Sequence, residues 1–135
     1  MSNTFAHRCF AAGLALAGAM MAFGCGEITK VQECNAVIDT INKNSAAIKD
    51  FDAKKDLEDQ AKKLEEFEKK IGEVKITDGE LKKNVEDYRK MVTDMAKLAR
   101  DLKDPTKVDE LEKRSNDITK TESDLVDKIN GYCKR

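Results

Sequence analysis

Apolar positions recur at alternating spacings of three and four residues along most of the chain, the pattern of helices that bury one face. Val31, Cys34, Ile38, Ile41, Ser45 and Ile48 make a first stripe, and Leu57, Ala61, Leu64, Phe67, Ile71 and Val74 a second. The third stripe, Leu81, Val85, Tyr88, Val92, Met95, Ala99 and Leu102, keeps a heptad spacing without a slip. Val108, Leu111, Ser115, Ile118, Glu122, Leu125, Ile129 and Tyr132 form a fourth, with two polar interruptions. In these seams Ser45 and Ser115 read as small packing or register positions, and Glu122 as a snorkelling or paired side chain. Met91 and Met95 read as core filling. The pattern predicts an all-α protein with helices over about 28–50, 53–72, 78–103 and 105–130.

The breaks have their own chemistry. Thr77-Asp78-Gly79-Glu80 has the form of a capping box, with Ile76 and Leu81 placed to close a hydrophobic staple. Gly72 offers a left-handed end to the preceding helix, and Gly131 an end to the last. Asp104-Pro105 reads as an N-cap followed by proline at the first helical position. The first boundary is softer: Asp50-Phe51-Asp52 turns only if Asp52 acts as an N-cap. With that turn there are four helices; without it, one helix of about 45 residues packs against two shorter ones.

The start of the chain differs from the rest. Residues 9–23, CFAAGLALAGAMMAF, are apolar or small, Arg8 precedes them, and the first acid is Glu27. A charged beginning followed by an apolar run shorter than the roughly 20 residues of a membrane span is the layout of an export signal. The expected organisation is a cleaved lipoprotein signal peptide over 1–24 and a helical bundle over 25–135. Ala22-Phe23-Gly24-Cys25 resembles the bacterial lipobox, with Ala22 at the usual leucine position and Phe23 at a position that is usually small. That resemblance implies a diacylglycerol on the Cys25 thiol and cleavage just before it. Ala22-Phe23-Gly24 and Ala17-Gly18-Ala19 also read as ordinary small-x-small cleavage sites, either of which would release a soluble protein.

The four cysteines bear on both questions. Cys9 leaves with the signal, and acylation of Cys25 leaves Cys34 and Cys133, an even number suited to an oxidising compartment. An antiparallel up-down-up-down bundle brings both chain ends to one end, with Cys34 and Cys133 at the same level. The three-helix alternative holds them tens of ångströms apart, at about 1.5 Å per helical residue, beyond any disulfide. The disulfide therefore favours four helices. Cys34 could otherwise be a small apolar core residue.

Charge narrows the partners. Lys+Arg number 25 against Asp+Glu 26, and Lys, Glu and Asp dominate a chain with one proline and no tryptophan. A near-neutral balance speaks against nucleic acid and against a polybasic membrane patch. Glu58–Lys62, Glu65–Lys69, Glu66–Lys70, Glu86–Lys90, Asp109–Lys113 and Asp124–Lys128 place acid four residues before base, as on a solvated helix face.

The chemistry of common active sites is missing from this sequence. His7, the single histidine, lies in the segment expected to be removed, which leaves no imidazole base or histidine metal ligand. There is no Cys-x-x-Cys and no glycine-rich phosphate loop, and the aspartates around Phe51 and Leu102 do not continue into a calcium loop. A protein without catalysis or cofactor is expected.

ECNAVIDTIN, residues 33–42, resembles the start of small helical lipoproteins of myxobacterial type, a likeness that covers the signal region and first helix and implies no activity. The lipidated cysteine, the heptads and the Tyr132-Cys133-Lys134-Arg135 end are similar to the murein lipoprotein family, in which a C-terminal lysine joins peptidoglycan. Here arginine is terminal, a cysteine intervenes and there are several helices. Gly26 follows the cysteine without the aspartate that marks many inner-membrane lipoproteins, which implies the outer membrane. The expected function is a lipid-anchored structural or protein-interaction module of the cell envelope, facing the periplasm or the exterior. The competing expectation is a soluble secreted or periplasmic bundle that opens to carry an apolar ligand.

Overall fold

The computed structural model describes residues 25–52 and 54–134, with the side chains of 25–27, 105 and 108 left aside. The expected signal segment 1–24 and the Cys25 side chain lie outside that description. The described residues are all-helical, and four long helices pack against one another. These are α1 (Cys25–Asn44), α3 (Leu57–Gly72), α4 (Gly79–Asp101) and α5 (Val108–Cys133), with a single turn, α2 (Ala46–Lys49), after the first.

The predicted helix over 28–50 divides at the half-buried Ser45, whose backbone stays right-handed. Side chains at its end bond back to carbonyls one turn earlier: Thr40 Oγ1 to Ala36 O at 2.7 Å, Asn44 Nδ2 to Thr40 O at 2.8 Å and Ser45 Oγ to Asn42 O at 3.1 Å. Such bonds offer the carbonyls partners other than the helix ladder. The soft boundary does turn, but with different chemistry from that expected. Asp56, not Asp52, is the N-cap of α3, accepting the amides of Glu58 and Asp59. Asp52 serves the loop instead, accepting the Lys54 amide at 2.9 Å. The buried Gln60 amide accepts the Asp52 N–H at 2.7 Å and donates to the Asp52 carbonyl at 2.8 Å, which fastens the loop to α3.

The α4 cap also differs. Asp78 is the N-cap, its Oδ1 accepting the Leu81 amide at 2.8 Å, and Thr77 turns away to α1, so the Thr77–Glu80 capping box does not form. Gly72 is the last residue of α3 and has no left-handed backbone. It leaves room for Arg89, whose guanidinium lies 2.8 Å from where a β-carbon would stand. Asp104 caps the short 3-10 turn Pro105–Lys107, its Oδ1 accepting the Thr106 amide and hydroxyl, and α5 starts after that turn at Val108 with Lys107 as its N-cap, not at Pro105. Helix α5 runs through Gly131 to Cys133.

Helix α4 lies between α3 and α5 and makes the most extensive packing with both. That is why its buried face exceeds one heptad stripe: Met91, Ala96 and Leu98 are buried beside Leu81, Val85, Tyr88 and Val92. Phe67 of α3 meets Tyr88 edge-on with ring centroids 6.2 Å apart. Burial, and next the carboxylate of Glu122, push the Tyr88 phenol above its ordinary range. Glu122 is thus half-buried beside a core tyrosine, and Ser115 is exposed.

Two acids expected to pair along their own helix, Glu58 and Glu65, reach across to another. Arg100 of α4 bonds Glu58 at 3.2 Å and Glu65 at 2.6 Å, and Lys103 joins Glu58 at 3.2 Å. Arg89 pairs with Glu68 at 2.6 Å and Arg114 with Asp101 at 2.7 Å. Lys90 lies 3.7 Å from Asp87 in place of the expected Glu86.

Candidate functional site

The densest polar constellation is a clasp at one end of the molecule. It joins α1, the start of α4 and the end of α5. Cys34 of α1 and Cys133 of α5 are disulfide-bonded, with Cα atoms 5.6 Å apart and 99 positions between them in sequence. The two neighbours of this bridge, Glu33 and Tyr132, are both buried.

Glu33 is one of two buried polar side chains in the described structure, at 7% exposure. Its Oε1 accepts the Thr77 amide at 2.8 Å and the Thr77 hydroxyl at 2.6 Å, and its Oε2 accepts the Asp78 amide at 3.1 Å. The carboxylate thus receives donors just ahead of an α-helix, where the helix dipole also favours negative charge. Burial alone would raise its pKa. The Thr77 hydroxyl, then the Thr77 and Asp78 amides, outweigh burial and the nearby Asp78 charge, and hold it below the ordinary glutamate range.

Asp78 continues the network. One oxygen caps Leu81 and the other accepts the Tyr132 hydroxyl at 2.7 Å. The Leu81 amide first, then the Tyr132 hydroxyl, keep it below the ordinary aspartate range. Lys30, one turn before Glu33 on α1, places its ammonium 4.1 Å from the Tyr132 ring centroid. Glu33, Asp78, Tyr132 and Lys30 therefore tie three helices together around one disulfide.

Both carboxylates are held ionised and accept capping bonds, the form least suited to delivering a proton near neutral pH. Among the described residues, no group of three or more His, Cys, Asp or Glu is placed to hold a metal ion. No helix among them is long and apolar enough to cross a membrane.

Clefts also lie between the helices. One of about 460 Å³ runs between the α1–α2 segment and α3, lined mainly by charged side chains such as Lys43, Asp59, Lys63, Glu66 and Lys70. Another, of about 150 Å³, lies between α1 and α5 and is lined by Ile38, Ile41, Val126 and Ile129 with Asn42 and Asn130.

Of the residues singled out from sequence, Cys34 and Cys133 are brought together. Sequence reasoning missed Glu33, Asp78 and Lys30. One signal for Glu33 was present: it sits four positions before Val37, which is fully buried, so the two share a helix face. The centre of the α1 stripe thus falls on Cys34 and Val37, and Val31, assigned to that stripe, is exposed. Searches against protein-family models, curated proteins and solved structures find no match to this chain.

Proposed function

We propose that this chain is a lipid-anchored helical module of a bacterial cell envelope that holds a protein partner and catalyses no reaction. One observation carries the reading. With Cys34 and Cys133 bonded to each other, Cys25 is the one cysteine of residues 25–135 outside that pair. It stands at the end of an export-type segment, behind Ala22-Phe23-Gly24, and the lipobox resemblance gives that position a chemistry. In this reading acyl chains on Cys25 tether the bundle to the outer membrane, in the manner of the small myxobacterial lipoproteins it resembles.

The helices in this reading run up-down-up-down. Glu58 with Arg100 and Glu68 with Arg89 support opposite directions for α3 and α4. The bridge from early α1 to the last residue of α5 supports both chain ends lying at one end. The clasp then sits two turns from the anchor and braces the membrane-side end of the bundle.

Cell fractionation of wild type and Cys25→Ala, with metabolic labelling by an alkyne fatty acid, tests the anchor. Wild type is expected in the membrane fraction and labelled, and Cys25→Ala soluble and unlabelled. A wholly soluble, unlabelled wild type would overturn the reading. In-cell cross-linking then identifies the partner.

The second reading, a soluble carrier, draws on the apolar groove between α1 and α5. At about 150 Å³ that groove is smaller than the roughly 300–1,000 Å³ of ordinary ligand sites, so a carrier would have to part α1 from α5. The disulfide opposes that movement at one end.

A further inference from the structure

Ile28 and Val31 are the exposed large apolar side chains of the described structure, at 54% and 57% of their full surface. Scattered exposed apolar residues are ordinary on proteins. These two are adjacent, one turn apart, within the first two turns of α1. From Cys34 onward the helix is different: Cys34 and Val37 are buried, and Ile38 and Ile41 pack against the core. Ile28 and Val31 stand on a side of α1 turned away from Lys30, Glu33 and Val37, which face the clasp and the core.

What lies beside that face is set by the chain before it. Helix α1 begins at Cys25, directly after the apolar run of residues 9–23. With a lipid on Cys25, a bilayer would be reached at this point. Ile28 and Val31 follow Cys25 by about 4.5 and 9 Å along the helix axis, within the depth of an interfacial layer. The acids of the clasp, Glu33 and Asp78, are engaged in internal hydrogen bonds, and the Lys30 ammonium stands over the Tyr132 ring.

We propose that Ile28 and Val31 form a membrane-contact face that seats the clasp end of the bundle in the interfacial layer of the bilayer. Lys30, between them on α1, then stands at the level of the headgroups. This rests on the anchored reading above and adds to it. The tether does not leave the bundle swinging freely, because α1 enters the interface in one orientation and fixes which helix faces point outward.

The chain contains no tryptophan, so single indoles report without background. Ile28→Trp and Val31→Trp, with Glu112→Trp as a distant control on α5, are made in the full chain. Each is purified in its membrane-extracted form and returned to phosphatidylethanolamine–phosphatidylglycerol vesicles carrying brominated acyl chains. All three positions are exposed, and helical circular dichroism checks folding. The indoles at 28 and 31 are expected to shift to the blue and to be quenched about twofold or more by bromine, with the control unchanged. Vesicles that float with protein while both indoles stay water-like and unquenched would overturn the membrane face and leave the anchor standing. Blue emission without bromine quenching would mean that protein covers the face, and would also overturn it. Failure of wild type to float at all would remove anchor and face together.

Discussion

Glu33 caps a helix to which it does not belong. From α1 its carboxylate accepts the Thr77 amide at 2.8 Å and the Thr77 hydroxyl at 2.6 Å, just ahead of α4. Capping is usually local, supplied by a residue at the helix start. Here Asp78 supplies the local cap and Glu33 takes the donors behind it. The start of α4 is thereby made dependent on the position of α1, which otherwise packs less extensively than the α3–α4–α5 set.

Replacing Glu33 by Gln should therefore destabilise the whole fold. The variant keeps one acceptor, loses the other and removes the charge, at a cost of about 1.5–3 kcal/mol for hydrogen bonds to a charged group. For a domain of this size that is a fall in melting temperature of about 5–15 °C. Thr77→Ala should cost less in the Glu33→Gln background than in wild type, because both changes remove the same bonds. Fully additive losses in a double-mutant cycle would mean that the two residues do not act together.

Acid should undo the clasp. Glu33 and Asp78 both have folded-state pKa values below their ordinary ones, Glu33 because the Thr77 hydroxyl and two amides outweigh burial, Asp78 through the Leu81 amide and Tyr132 hydroxyl. Depressed carboxylates stabilise a fold fully above their unfolded values and lose that contribution as pH falls through the folded ones. Stability should be flat above about pH 5 and decline below 4.5, the ordinary value of a glutamate. Glu58 and Glu65, lowered by Lys103 and Arg100, add to the slope. Thermal melts across this range should show a shallower acid decline for Glu33→Gln. An identical slope would remove Glu33 from the account.

The sequence yielded what depends on periodicity and little of what depends on one helix meeting another. Four stripes predict four helices because each buries one face, and the cysteine argument places Cys34 beside Cys133 because a bridge restricts geometry tightly. The loop after α2 shows what was hidden. Asp52 is a good N-cap on paper, but the cap falls to Asp56, four residues on, and the buried Gln60 amide binds the backbone of Asp52 into the loop. Likewise Thr77 belongs to a good capping box until Glu33 arrives from 44 residues away. Glu58 and Glu65 face lysines at the right spacing, yet Arg100 offers both a forked donor across the helix interface. Each miss is a local rule overridden by a partner that spacing along one helix cannot reveal.

Gly72 makes a separate case, since its role proves to be spatial. Its backbone is ordinary, and an added β-carbon would meet the end of the Arg89 side chain, a flexible group that pairs with Glu68 at 2.6 Å. Alanine there gains up to about 1 kcal/mol of helix propensity, reduced at a helix end, and moves the guanidinium off its partner, a loss of about 1 kcal/mol for this half-buried pair. Gly72→Ala should leave stability within about 0.5 kcal/mol of wild type by denaturant titration. Glu68→Gln, measurable in wild type, should become silent in the Gly72→Ala background. A Glu68→Gln effect of equal size in both would show that the ion pair adapts to the methyl group.

The disulfide should dominate the stability of this fold. It closes a loop spanning 99 positions, so in the chain-entropy model it restricts the unfolded chain by about 4–5 kcal/mol. Stability lost on that scale is a large share of the roughly 5–15 kcal/mol that holds an ordinary domain together. Cys34→Ser with Cys133→Ser should lower the denaturant midpoint accordingly, and reduced wild type should match the double variant. The clasp bonds of Glu33 and Asp78 do not require the bridge, so the serine variant should still fold at low temperature with native helix content. Adding Glu33→Gln to that variant weakens the remaining clasp tie of α1 to α4, and α1 should then detach first. Hydrogen exchange resolves this: amides of residues 34–44 should lose protection ahead of those in α4, with α3 and α5 staying paired to it. Simultaneous loss across all four helices would show that α1 is held by its apolar face alone, and that the clasp adds nothing to its attachment.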